Sequence, residues 1–306
     1  MRFQRLDLNL LVALDALLDE CNTTRAAARL SVSQSAISGM LARLREFFDD
    51  PLLSPVGRQM VLTAQGRALA GPVRDLLIQV QSTLAVKPEF DPATAQRHLR
   101  ITASDYVMQI FLGAALGELK RQAPQLTFEI LPQSEDSSEK LRRGETDLLI
   151  IPEPFIAPEH PHRLLYEDVF VCVAWRGNTQ VAGGLDAAAF SRLGHVAPML
   201  GRPRSPTLEG QHLERQGIER RVEIVSPDFS SVPVLVTGTE LIGTLHQRLA
   251  QLCRERFDLV LMPPPVSLPV VRECIQWHAH HEHDPCHRWV REHMVAKAAA
   301  LPAVQD

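Results

Sequence analysis

Two groups of residues have the types and spacing to do chemistry. The first lies between Asn22 and Arg45, in NTTRAAARLSVSQSAISGMLARLR. Thr24, Arg25, Ser33, Gln34, Ser35 and Ser38 offer hydrogen bonds, and Arg43 and Arg45 follow them. Amides and hydroxyls can read base edges in a major groove, and guanidinium groups can hold phosphate. The second group is His278, His280, His281, His283, Cys286 and His287. Imidazole and thiolate are good transition-metal ligands. Yet His278, His280 and His281 cannot all point one way. A polar strand-to-helix connection whose histidines face water accounts for the same run, so no metal and no cofactor is assigned.

Catalytic patterns are missing from the sequence. It has no GxSxG, no HExxH, no phosphate-binding loop with its lysine and no dinucleotide glycine pattern. No spacing ties its serines and histidines into a nucleophile and base. The chain is not expected to be an enzyme.

The elements that must position the first group can be read from periodicity. Ala26, Ala27 and Leu30 mark one helix, opened by Thr23 or Thr24 as a cap. Ser31-Val32-Ser33 makes the turn. Ile37, Leu41 and Leu44 then give the buried face of a second helix, which exposes Gln34, Ser35, Ser38, Arg43 and Arg45. An earlier helix, Leu6 to Glu20, carries Leu10, Leu14, Leu17 and Leu18 on one face and would be capped by Asp7. After Arg45, Asp49-Asp50-Pro51 stops the helix. Leu52-Leu53 and Met60 to Leu62 read as short strands around a turn with Arg58 at its tip, the layout of a wing whose arginine reaches a phosphate or the minor groove. Thr63 caps a long helix running to about Leu84, with Pro72 inside it. Its apolar residues suit either pairing with another copy or packing on its own domain.

Small helical bundles also contain such turns without binding DNA. Charge favours DNA here. From Asn22 to Arg74 there are seven arginines and three acids, a net of +4, whereas the whole chain carries −4. A local positive surface on an acidic protein is what phosphate contact requires. At 306 residues and 45% hydrophobic content, the chain has room for two or three domains. No run is long and apolar enough to span a membrane, and Asp7, Asn9 and Asp15 break any signal-like core. Five scattered cysteines suit a reducing cytoplasm, where the protein is expected.

Beyond a Pro-containing stretch, Lys87 to Arg97, the pattern becomes alternating strands and helices. The order βαβαβ predicts a largely parallel sheet with helices on both faces, and the number of elements predicts two α/β lobes. One helix is expected from Val107 to Gln122, and a strand from Val169 to Trp175 after a Pro- and His-rich loop. Ligands of open α/β sheets sit at strand C-terminal ends, beside helix N-termini that favour carboxylate or phenolate. That rule selects Ser104, Asp105, Pro152, Phe155, Leu200, Arg202, Phe229, Ser230 and His246.

The chain resembles the LysR-type transcriptional regulators over almost its full length. The resemblance rests on AAARLSVSQSAISGMLARLR, the wing-like stretch and Leu62-Thr63-Ala64-Gln65-Gly66. DLNLL, FDP at Phe90 to Pro92, ERQGIERRV at Glu214 to Val222 and WHAHHEHDP at Trp277 to Pro285 are similar to the branch of nodulation and aromatic-catabolism regulators. Ser35 stands where the family usually has proline, and Leu53 to Pro55 where it has Phe-x-Arg. Asp168 stands where aromatic-responsive relatives can place a histidine that meets the inducer, which makes it a further effector-site candidate.

The resemblance implies an N-terminal winged helix-turn-helix domain, all-α apart from its wing, at 1–63 and a linker dimerisation helix at 64–88. A hinge would follow at 89–97, then a two-lobed, periplasmic-binding-protein-like α/β effector domain at 98–306. Lobe one would take 98–165 with 270–300, and lobe two 166–269. The expected partners are double-stranded promoter DNA, an aromatic or carboxylate small-molecule inducer, and further copies of the chain in a dimer or tetramer, with RNA polymerase as a candidate contact. The alternative from the residues alone is a two-lobed sensing protein whose N-terminal helices meet another protein.

Overall fold

A computed structural model describes residues 8–57, 59–85, 90–201 and 205–304. The chain divides into two compact units, Met1–Val86 and Lys87–Asp306. Asp7 and Arg58 lie outside the described residues, as does Arg202.

In the first unit, α1 (Leu8–Glu20), α2 (Thr23–Arg29) and α3 (Gln34–Phe48) precede the antiparallel strands β1 (Leu53–Val56) and β2 (Gln59–Leu62), and α4 (Ala64–Ala85) follows. Leu10, Leu14 and Leu17 of α1 meet Ala26 and Ala27 of α2 and Ile37, Leu41 and Leu44 of α3 in one buried cluster. The alanines let α2 approach closely where it crosses its neighbours. The cap of α2 is Asn22, not Thr23 or Thr24: its side chain accepts from the N–H groups of Thr24 and Arg25. Asparagine one position earlier reaches both free donors, which leaves the two threonines inside the first turn. Ser33 caps α3 by accepting from Ala36 N–H, and Asp49 ends it in the left-handed region. Thr63 accepts from Gly66 N–H at 3.0 Å as α4 begins. A Cβ on Gly66 would stand 2.5 Å from the Leu52 carbonyl oxygen, so glycine lets α4 pass against the base of the wing. Arg74 of α4 bonds Asp15 of α1 at 3.0 Å.

The second unit begins with β3 (His98–Ala103), α5 (Asp105–Val107), a π-helical turn (Met108–Leu112) and α6 (Gly113–Gln122). The single expected helix is thus interrupted by one widened turn. Next come β4 (Thr127–Pro132), α7 (Ser137–Arg142), β5 (Leu148–Pro152), β6 (His162–Asp168) and β7 (Phe170–Trp175). The chain continues through α8 (Ala187–Arg192), β8 (Gly194–Leu200), β9 (Ser205–Pro206), α9 (Leu208–Arg215), β10 (Arg221–Ser226) and α10 (Ser231–Val236). It ends with β11 (Ile242–His246), α11 (Gln247–Cys253), β12 (Leu259–Met262), β13 (Val271–Trp277) and α12 (Pro285–Ala299).

Two sheets result, ordered β4-β3-β5-β13-β6 and β10-β8-β11-β7-β12. Each is mixed rather than largely parallel. Strands β13 and β6 pair antiparallel in the first, and β7 runs against both β11 and β12 in the second. The chain passes between sheets twice, at Val169 and between Met262 and Val271, and a strand that crosses over and returns must run against its neighbours. Strand β6 occupies the stretch expected as a Pro- and His-rich loop. It pairs with β13 as far as Asp168, so the border between lobes falls at Val169 rather than at 165/166. Among the described residues, no helix is long and apolar enough to cross a membrane.

Candidate functional site

Helix α3 presents one face to its own core through Ile37, Leu41 and Leu44. Gln34, Ser35, Ser38 and Arg43 are all exposed. Residues three and four apart lie side by side on a helix, so Gln34, Ser38 and Ser35 form one polar patch at its front. Ser33 is the cap, and its hydroxyl lies 2.9 Å from that of Ser35. Thr24 is exposed at the start of α2. Arg25 beside it donates to Glu20 at 2.9 Å. Arg45 turns inward, donating to the carbonyls of Pro51 at 2.9 Å and Leu53 at 3.2 Å. Its guanidinium therefore braces the wing. Asp50, which sequence reasoning treated only as part of a helix stop, accepts from Leu52 N–H and from the Thr63 hydroxyl. Nothing in the periodicity announces either role, because both partners lie across the turn.

A cavity of about 290 Å³ opens between the two lobes of the second unit. Ser104, Pro152, Phe155, Leu200, Phe229 and His246 all line it. Sequence reasoning missed Phe170, Thr207, Glu135 and Glu273, which line it too. His246 ends β11 and stacks on Tyr106 at 3.7 Å with the rings 8° apart. Phe229 meets it edge-on at 4.7 Å, and Phe170 tilts against it at 5.0 Å. Burial holds its imidazole down at about 3, hence uncharged near neutrality. Burial, with the charge of Asp168 second, pushes Glu273 up to about 8.

The other expected residues lie behind the cavity. Asp105 joins the lobes: its carboxylate accepts from Phe229 N–H at 3.2 Å, from Ser230 N–H at 2.7 Å and from the Ser230 hydroxyl. Asp168, fully buried at the crossing, accepts from the Tyr106 hydroxyl at 2.6 Å and from Val169 N–H at 2.8 Å. It is not among the residues lining the cavity. At the cavity mouth the Ser205 hydroxyl donates to Glu135 at 3.1 Å. Beside it Gly201, at φ +78°, lies so close that a Cβ would stand 3.0 Å from Ser134 Cα.

The histidine-rich segment does not simply face water. His278, His281 and His287 are buried. His287 bonds the Asp147 carbonyl at 3.0 Å through one ring nitrogen and receives Arg291 at 2.8 Å on the other. With both nitrogens engaged it is a packing residue, and burial drives its imidazole well below the usual histidine range.

Comparison with known proteins bears on both regions. Residues 8–67 match the family model of bacterial regulatory helix-turn-helix proteins of the lysR family, and residues 92–299 match the LysR substrate binding domain. Nodulation protein D of Bradyrhizobium sp. (strain ANU 289) is 41% identical over 301 residues, covering 98% of this chain and 89% of that protein. Nodulation protein D 2 of Rhizobium tropici is also 41% identical, covering 98% and 96%. A probable transcriptional regulator from Pseudomonas aeruginosa is similar in structure, with a TM-score of 0.65, 26% identity and 98% of both chains covered.

Proposed function

From the premise that this chain belongs to the lysR family of transcriptional regulators, we propose that an aromatic or carboxylate inducer held between the lobes controls how its N-terminal head reads an operator. The chain is a sequence-specific DNA-binding regulator with a small-molecule-sensing domain, and its family is one of regulators, not of enzymes. Thr24, Gln34, Ser35, Ser38 and Arg43 would meet DNA directly, with Ser33 setting the start of α3 and Arg58 reaching from the wing. Arg25 would contact phosphate after leaving Glu20, and Arg45 would act by bracing the wing. The proposed division of labour is a head at 1–63, a pairing segment at 64–88 built on α4, a hinge at 89–97 and the effector domain beyond; residues 86–89 lie outside the described residues.

The observation that carries the inducer reading is the aromatic-walled cavity of about 290 Å³, of a size for a ligand of one or two rings. A ligand can shift the protein only by binding one lobe arrangement better than another. The bonds from Ser230 to Asp105 and from Ser205 to Glu135 are among the interlobe contacts such a shift would make or break. Two copies paired through α4 would present two heads to two half-sites, and a dimer of such dimers would change the bend between them. RNA polymerase would be met by the promoter-proximal pair.

DNA selection with the purified full chain at controlled salt, followed by footprinting, tests this reading. The expected result is a protected dyad longer than one helical turn, weakened by salt. Only weak, sequence-indifferent binding at every salt concentration would sink the operator assignment.

A further inference from the structure

Where the head grips α4, four charged side chains close a ring. Asp15 and Asp19 stand about one turn apart on α1 and so share a face. Arg74 of α4 reaches both: its Nε lies 3.0 Å from Asp15 Oδ1 and its Nη2 3.3 Å from Asp19 Oδ1. Arg29, at the end of α2, reaches both with its own fork, Nη1 at 2.6 Å from Asp19 Oδ2 and Nη2 at 3.5 Å from Asp15 Oδ2. Each guanidinium thus spans two carboxylates, and each carboxylate gives one oxygen to each guanidinium. The side chains of Arg74, Asp15 and Asp19 are only 12%, 13% and 15% exposed. Two of the seven arginines that make Asn22 to Arg74 basic are therefore engaged inside the head rather than offered to phosphate.

Such a ring does what apolar packing does not. Val73 of α4 is buried with Leu10, Leu14 and Leu17 of α1, but hydrophobic contact has no direction. Ridge-into-groove packing specifies a crossing angle only to within about 15–20°. A planar fork aimed at two carboxylates fixes both the register and the azimuth of α4 on α1. Helix α4 has 22 residues, which makes it a lever about 33 Å long. Adjacent base pairs stand about 3.4 Å apart, so a swing of about 6° at one end of that lever moves the other by a whole base pair. Leu76, on the far side of the helix from Arg74, is 43% exposed and leaves apolar surface for a second copy. Resting on the reading that two copies pair through α4, we propose that the ring of Asp15, Asp19, Arg29 and Arg74 sets the half-site spacing that the paired heads accept. Arg74 is a positioning residue: it meets no base and acts by holding α3 at a fixed angle to the pairing helix. Arg29 carries the same constraint into α2, whose Ala26 and Ala27 share a buried cluster with Ile37 of α3.

The test uses the full-length protein and the half-site recovered by DNA selection, built into duplexes that carry one copy or two inverted copies. Centre-to-centre spacing is stepped by single base pairs to either side of the recovered value, and affinities are read by competition. Wild type should bind the recovered spacing at least about tenfold more tightly than spacings two base pairs away, because only there do both heads engage at once. Arg74→Gln should sediment as wild type does and bind the single half-site within about threefold of it, yet accept all the spacings within about threefold of one another. Arg74→Lys, whose ammonium keeps the charge without the fork, should fall between the two, and carries the test should Arg74→Gln fail to fold. A wild type indifferent to spacing overturns the assignment without any variant. A profile as sharp in Arg74→Gln as in wild type overturns it too, and so does an equal loss on one half-site and on two with the profile unchanged, which is what a purely structural brace would give. If selection recovers no dyad at any salt concentration, the operator reading itself fails, a result distinguishable from failure at Arg74.

Discussion

In the head, the side chains proposed to meet DNA come, apart from Arg58, from one short stretch, Thr24 to Arg43, which flanks a core of leucines and alanines. In the second unit the cavity wall draws Ser104, Phe155, Phe229, His246 and Glu273 from distant parts of the chain and turns them inward. The head leaves its functional groups hydrated and spends its precision on caps. The cavity takes polar groups out of water. A surface site can therefore lose one contact and keep its shape, whereas in the cavity shape, charge and contact change together.

The sharpest way to break this contrast is to damage the head's core alone. Leu44→Ala removes a fully buried side chain where α3 meets α1, and should destabilise the head by about 2–5 kcal/mol. Operator binding should vanish while calorimetry still shows ligand binding to the second unit. Loss of both together would mean that the units do not fold independently.

Acid should strike the second unit instead. His195, His246 and His278 are held by burial at about 4, 3 and 3 against an unfolded value of 6.5. A group with a depressed histidine pKa adds stability above the unfolded value and loses it as pH falls towards the folded one. Glu273 acts in the opposite direction: raised to about 8, it adds stability below 4.5 that is lost as pH rises to 8. Melting of the second unit should thus weaken from pH 6.5 downward, and His246→Phe should make that slope shallower. An unchanged slope would show that His246 is charged in the folded protein.

Within the head, Gln34→Ala should weaken operator binding by about 1–3 kcal/mol, the worth of a good base contact, and flatten discrimination at one base pair. Inducer affinity should not move. A smaller effect is expected from Arg45→Ala, about 1 kcal/mol of head stability through the lost bonds to Pro51 and Leu53. Its DNA affinity should fall only as far as the wing loosens. A drop as large as that of Gln34→Ala, with unchanged melting, would instead make Arg45 a direct contact.

These differences also explain what the sequence reveals. Helical periodicity gives the inward face of α3 and hence the outward position of Ser35 and Ser38, while Gln34, on the stripe of Ile37 and Leu41, is exposed as the helix's first residue. It gives direction but not partner, so it leaves Arg45 on a surface it does not occupy. In the second unit, the ends of β3, β5 and β11 lead to Ser104, Pro152 and His246. Phe170 and Glu273 escape that rule because they belong to crossing strands, whose place is decided by pairing partners far along the chain. Strand β6 escapes for the same reason: its alternation is masked by exposed His162, Arg163 and Leu164.

The two passages between the sheets have an evolutionary consequence. Strands β7 and β12, which bring the chain into the second sheet and out of it, are neighbours, with Cys172 opposite Met262. The second lobe is therefore an inserted cassette whose two ends lie side by side. Recombination at Val169 and in the segment before Val271 could exchange the lobe as one piece. Ligand preference would then diversify by shuffling one wall of the cavity, while α12 and Glu273 of the first lobe stay where they are.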